Sequence, residues 1–284
     1  MKTGLNREEI TARYLAACRA ELQALKPGNV HRHSAGHGMS VETFERAAAA
    51  SAPAIADPAL KVGERILAAT EASFAATSLN TNLGIVLLCA PLAKAAAECE
   101  FGVGLRRRLD AILARLDEDD ADKAFAAIRL ANPAGLGKVD EGDVSVSGPK
   151  MTLIAAMRLA ADRDRIANSY ITAFSDIFDF ALPFYGEALR VCASSDLAAS
   201  ALHMALLAEF PDSHISRKWG PEKAREIQAE AQKLAAAWAP AEIHKSFSQL
   251  MDFDRSLKDR GLNPGTTADF VVATLFAHGL SKRT

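Results

Sequence analysis

The chain never sustains the pattern of a β-strand. Strict alternation of apolar and polar residues is absent, β-branched clusters are few, and alanine, leucine, glutamate and arginine fill segment after segment. A half-buried sheet writes a period of two into its sequence, because successive side chains point to opposite faces. Here the apolar residues recur at helical spacing instead, as in Ile10, Tyr14, Ala17, Cys18, Leu22 and Leu25. The punctuation is helical too. Asn6 and Glu9 have the spacing of a capping box, Ser194-Ser195-Asp196 reads as a cap, and Gly261 fits a helix end. The expected fold is all-α: a single bundle-like domain over residues 1–284, of about ten helices, with its site built from the loops between them.

Composition narrows the partners. With 284 residues, 49% hydrophobic and a formal net charge of -2, the chain can bury a sizeable core and carries no overall field for a polyanion. Neither nucleic acid nor a membrane surface is expected as a partner. The apolar runs are broken by charge before membrane-spanning length, and the N-terminus has no apolar signal region, so a cytoplasmic location is expected. Cys18, Cys89, Cys99 and Cys192 stand far apart, without Cys-x-x-Cys spacing, and read as small buried hydrophobes.

Polar, glycine-bearing breaks interrupt the helices at 26–39, 78–84, 132–143, 211–220 and 263–269. The first, Lys26 to Met39, crowds Pro27, Gly28, three histidines, Lys26 and Arg32 between two helices. Pro27-Gly28 has the residues of a type II turn. Loops at one end of a bundle can converge on one pocket. Together these would bring cations (Lys26, Arg32, Arg217, Lys218), carboxylates (Asp140, Asp143, Asp212, Asp269) and helix N-termini after Asn80-Thr81-Asn82 and Thr266-Thr267. Acids for a metal, with cations and amides for phosphates, are what a Mg-nucleotide site needs.

Glu21 stands on the apolar face of the first helix, where a carboxylate requires a partner. Glu64 and Glu71, seven apart, share a face of the third helix. Plainer roles exist for each: Asp212 and Asp269 as caps, with Thr266 and Asp269 spaced as a capping-box analogue; Glu64 and Glu71 as a solvated face; Arg217-Lys218 as a surface pair. His31, His33 and His37 match no metal-site spacing and read as loop histidines making hydrogen bonds.

In chain order these breaks resemble the triphosphoribosyl-dephospho-CoA synthase family. The resemblance lies in Glu21 with Lys26-Pro27-Gly28-Asn29-Val30, Gly36-His37-Gly38-Met39, Asn80-Thr81-Asn82-Leu83-Gly84, and Gly135-Leu136-Gly137 with Asp143. It continues through Ala155 to Asp164 with Tyr170, Asp212-Ser213 with Arg217 and Gly220, and Asn263-Pro264-Gly265 with Asp269. It implies an all-α transferase that joins the triphosphoribosyl group of ATP to 3'-dephospho-CoA and releases adenine, with Mg2+ on the triphosphate. It also implies roles. Lys26 and Arg217 would hold phosphates, with Gly28, His37, Asn80, Asn82 and Asn263 lining the nucleotide site. Asp212 and Asp269 would bind Mg2+ or stabilise the sugar cation, and Glu21, Glu64 or Glu71 would be the base.

Two departures stand out. Asn82-Leu83 replaces the family's usual His-Lys, and Gly38 stands where an Asp is usual. The Ala-Ala-Asp-Arg-Asp and Gly-Leu-Gly features resemble an archaeal-type branch, some of whose relatives lie near genes of one-carbon pterin-cofactor metabolism. A pterin-cofactor precursor as acceptor is therefore a second expectation, and a non-catalytic nucleotide-binding or assembly protein a third. A homodimer is compatible with all three.

Overall fold

The computed structural model describes residues 4–98, 103–132, 151–236 and 239–282. Among them are fourteen α-helices: α1 (Arg7–Gln23), α2 (Val41–Ile55), α3 (Val62–Thr77), α4 (Leu83–Ala97), α5 (Leu105–Leu113), α6 (Glu118–Ala131), α7 (Leu153–Ala160), α8 (Arg165–Ile171), α9 (Leu182–Val191), α10 (Ser195–Glu209), α11 (Ser213–Trp219), α12 (Pro221–Ala235), α13 (Phe247–Asp259) and α14 (Gly265–Ser281). A π-helical stretch, Asp176–Ala181, leads into α9, and a 3-10 stretch, Pro240–Ser246, leads into α13. The described residues contain no strand, only isolated bridges at His31–Ser34 and Gly36–Met39. None of their helices is long and apolar enough to cross a membrane.

The all-α expectation holds; the expected number of helices was too low. The stretch from 166 to 180 is not one helix: it breaks at Ala173 and Phe174, both with positive φ. The segments 211–220 and 263–269, expected as loops, instead hold α11 and the start of α14. Their serine, threonine and aspartate residues are helix starts, and that role and a loop role are written with the same amino acids. Asn6 and Glu9 do form a reciprocal capping box, at 2.7 and 2.8 Å. Asp57 caps a tight turn by accepting the Ala59 N–H at 3.0 Å, and α3 starts after Lys61.

The chain divides into two compact units. The first comprises Met1–Ala17, Thr43–Ser175 and Phe276–Thr284; the second, Cys18–Glu42 and Asp176–Leu275. In the first, α4 is buried on nearly every face, as its run from Leu83 to Ala97 demands. Pro91 sits inside it. Proline has no N–H, so the Leu87 carbonyl one turn earlier loses its helical donor. The Tyr170 hydroxyl takes over, donating to that carbonyl at 2.7 Å. Against α3, Asp120 at the start of α6 accepts the Gly63 N–H at 2.7 Å.

The core of the second unit is apolar: Met204 and Leu207 of α10, Ile215 of α11, Ile227 of α12, and Leu250, Phe253 and Leu257 of α13. The segment that follows α1 lies in this unit. Cys18 and Cys89 are buried and Cys192 is half-buried. Cys99 lies outside the described residues.

Candidate functional site

The densest chemistry is in the second unit, around residues 26–39. Lys26 through Asn29 form the expected turn, with Asn29 N–H donating to the Lys26 carbonyl at 3.0 Å. Gly28 takes φ +81°, and a Cβ there would lie 2.7 Å from Pro264 Cδ and 2.9 Å from Leu257 Cδ1. Turn geometry and packing both require glycine. Two tight turns follow, closed by paired hydrogen bonds between His31 and Ser34 and between Gly36 and Met39. The second places His37 and Gly38 at its centre with φ of 55° and 75°. Two positive φ values in succession define a type I′ turn. Gly38, where an acid is usual in the resembled pattern, is the natural residue for that geometry.

Lys26 has no exposed surface. Its ammonium donates to Glu21, to Val30 O at 2.8 Å and to Asn29 Oδ1 at 3.3 Å. An ammonium has three donors, and all are spent. Direct phosphate binding, expected of Lys26, does not match this geometry. Glu21, expected as a base candidate, is equally committed as its ion-pair partner. Burial pushes Glu21 up and Lys26 down from their ordinary pKa values, each against the pull of the other. The carboxylate on the apolar face of α1 thus has the partner its position demanded.

Asp254 of α13, fully buried, is the second anchor. Its Oδ1 accepts Gly28 N–H at 2.8 Å, and its carboxylate holds the Lys258 ammonium at 2.9 to 3.0 Å. His31 Nε2 lies 3.4 Å away, out of alignment for a hydrogen bond. Burial raises Asp254, but His31 and Lys258 more than offset it and hold the carboxyl below its usual range. Burial keeps His31 below its ordinary value despite Asp254. Among the described residues, His203 of α10, also fully buried, has no well-aligned hydrogen-bond partner at either ring nitrogen. Burial and the Lys26 charge push it down to about 3, against a weaker upward pull from the Pro27 carbonyl.

Three of the expected breaks meet here. Asn29 Nδ2 donates to Asn263 Oδ1 at 2.8 Å. Asp212 is nearly fully buried; Oδ1 caps α11 through Ile215 N–H at 3.0 Å, and Oδ2 accepts both N–H and Oγ1–H of Thr267 at 2.8 Å. His214, next in α11, feels the charges of Asp212, Arg217, Lys218 and His37, and burial is the main cause of its lowered pKa. Asp269 is half-buried on α14 and its charge acts on Lys26. Arg217 is half-buried, while Lys218 is exposed with its ammonium 5.5 Å over the Trp219 ring.

Both carboxylate oxygens of Asp212 accept bonds from within the protein, so it does not fit as a direct Mg2+ ligand. No group of three or more His, Cys, Asp or Glu among the described residues could hold a metal ion. Arg32, rather than facing the cluster, pairs with Asp196 at 3.2 Å on an exposed surface.

Four expected residues belong to the other unit. Glu64 accepts Lys61 N–H at 2.7 Å as part of the cap of α3, and Glu71 is exposed on the same helix. Asn80 is exposed. Asn82 is buried, accepting from Ser73 Oγ at 2.7 Å and donating to Ser51 Oγ at 3.2 Å. Its amide is bound into a polar network that reaches Tyr14, so the Asn82-Leu83 departure falls on two buried, structural positions. Asp140, Asp143 and Gly135-Leu136-Gly137 lie outside the described residues.

The residues not anticipated from sequence are Asp254, Lys258, His203 and His214. A signal for the first was present: Leu250, Phe253 and Leu257 set an apolar stripe on α13, and Asp254 stands in it, as Glu21 does on α1.

Comparison with known proteins agrees with this architecture. A crystal structure from Archaeoglobus fulgidus, provisionally named a triphosphoribosyl-dephospho-CoA synthase, is similar with a TM-score of 0.61 and 24% identity, over 83% of this chain and 97% of that one. At that identity the likeness bears on the fold. No curated protein matches the chain. A family model does, over residues 7–284, and the chain belongs to the ATP:dephospho-CoA triphosphoribosyl transferase family.

Proposed function

We propose that this transferase moves the triphosphoribosyl group of ATP to the ribose of 3'-dephospho-CoA, releasing adenine, at the cluster in the second unit. The observation that carries the reading is the family match, which spans nearly the whole chain. The reaction displaces adenine at an anomeric carbon. It needs phosphate-binding cations, a carboxylate near a developing oxocarbenium ion, and a base for the attacking hydroxyl. The cluster offers these. Arg217 and Lys218 on α11 are the cations assigned to the triphosphate. Asp269, half-buried and close enough to act on Lys26, is assigned to the sugar cation. Lys26 with Glu21 fixes the first segment, and the Asn29–Asn263 and Asp212–Thr267 bonds hold the three segments in register. ATP enters as its Mg2+ complex, with the ion on the phosphates.

The test is release of free adenine from Mg-ATP, with and without dephospho-CoA. Acceptor-dependent adenine is the expected result. Adenine formed only with a pterin-cofactor precursor would reassign the acceptor. No adenine under any condition would leave a nucleotide-binding or assembly protein and overturn the reading.

A further inference from the structure

We infer that His37 is the base that takes the proton from the attacking hydroxyl; the inference rests on the transfer reaction proposed above. Every carboxylate expected in that role is engaged elsewhere or unsupported. Glu21 is buried against Lys26, Glu64 caps its helix, and Glu71 stands exposed on α3 with no hydrogen bond or ion pair among the described residues. His37 is placed differently. It lies at the tip of the type I′ turn, exposed, on the segment where three functional stretches meet, and its charge acts on His214.

The tautomer is set by the structure. His37 Nε2 is 2.9 Å from the Gly28 carbonyl. A carbonyl can only accept, so Nε2 carries the hydrogen and neutral His37 presents a lone pair at Nδ1. Among the described residues, Nδ1 has no hydrogen-bond partner. Gly28 is itself fixed, because its N–H donates to buried Asp254 at 2.8 Å. Asp254 thus fixes Gly28 through its N–H, and the Gly28 carbonyl, in the next peptide group, orients the imidazole of exposed His37. A positive φ at a non-glycine residue is uncommon, and this one is what turns the imidazole back onto Gly28. Base and orienting acceptor within hydrogen-bond reach is the arrangement that general-base chemistry requires.

The step balances. The acceptor ribose oxygen forms a bond to C1 of the ATP ribose as the glycosidic C–N bond breaks. The electron pair of that bond leaves on adenine. The hydroxyl proton passes to His37 Nδ1, and the imidazolium is stabilised through Nε2–H by the Gly28 carbonyl. Adenine takes one proton from solvent, and His37 returns one to it. Asp254 is a positioning residue in this scheme.

His214 feels the charge of His37 together with those of Asp212, which caps α11, and of Arg217 and Lys218 on it, while Asp254 and Lys258 of α13 stand on the Gly28 side. The test compares the pH profile of adenine release for wild type, His37→Gln, His214→Gln and Asp254→Asn. Glutamine can still donate to the Gly28 carbonyl but has no basic nitrogen. The expected result for His37→Gln is a fall in kcat of about 100-fold or more, KM for ATP within about threefold, and loss of the acid limb of the profile. Asp254→Asn should lower kcat less and keep the limb. Full kcat in His37→Gln, or an acid limb that survives it and disappears in His214→Gln, overturns the assignment. A wild type that releases no adenine overturns the transfer reading itself, and His37 with it.

Discussion

Lys26 concentrates the chemistry of a whole segment in one ammonium group. Its three donors meet a carboxylate, an amide oxygen and a backbone carbonyl, all on residues within five positions of it. Removing one partner of a buried ion pair leaves the other charge without compensation, at a cost of about 3–5 kcal/mol. Lys26→Met should lower stability by an amount of that order in urea unfolding, and the double variant Lys26→Met/Glu21→Leu should recover much of the loss. A residue that only held phosphate would raise KM for ATP and leave the unfolding midpoint in place. Glu21 was legible from its position on an apolar face. The spending of all three Lys26 donors was not, since spacing along the chain cannot say whether a cation turns inward or outward.

Among elements, α4 depends on a side chain from α8. Pro91 removes the donor that the Leu87 carbonyl would have in an uninterrupted helix, and the Tyr170 hydroxyl supplies another. Tyr170→Phe should cost about 1–3 kcal/mol, the penalty for a buried acceptor left unpaired. In a Pro91→Ala background, where the backbone N–H returns, the same change should cost less; equal costs in the two backgrounds would sink the coupling. The helices were readable wherever caps and apolar period agreed, as at Asn6–Glu9 and along the apolar positions that follow from Ile10. They were misread at 211–220, because Asp212 and Ser213 serve a loop or a short helix equally well. Of the site, the meeting of 26–39 with 263–269 could be anticipated as converging breaks. Asp254 could not be linked to Gly28 without the fold.

For the molecule as a whole, pH is the informative variable. Burial holds His31, His203, His214 and His278 below their ordinary values, His203 at about 3. Below about pH 6.5 the unfolded chain takes up protons that these folded histidines refuse, so stability falls as pH falls. His203 alone contributes a slope of up to about 1.4 kcal/mol per pH unit between about pH 6.5 and its folded value. Asp254, with its lowered pKa, adds loss at still lower pH, while Glu21, raised by burial, acts in the opposite sense. Urea midpoints from about pH 7.5 to 5 should fall for wild type and fall less for His203→Leu, which keeps the apolar volume and removes the titrating ring. Parallel curves would show that another group sets the acid sensitivity.

The bonds that fasten residues 26–39 have a consequence for biosynthesis. Gly28 reaches Asp254 across 226 positions and Asn29 reaches Asn263 across 234. Contacts of that separation form only after the chain between them has been searched and closed, and they slow folding. A ribosome making this chain emits the Lys-Pro-Gly-Asn turn 226 and 234 positions before these two fasteners. Until Asn263 has left the exit tunnel the turn lacks its long-range partners, so the site cannot be assembled before that stretch emerges. A growing chain therefore cannot begin consuming ATP while residues 254–263 are still to be made.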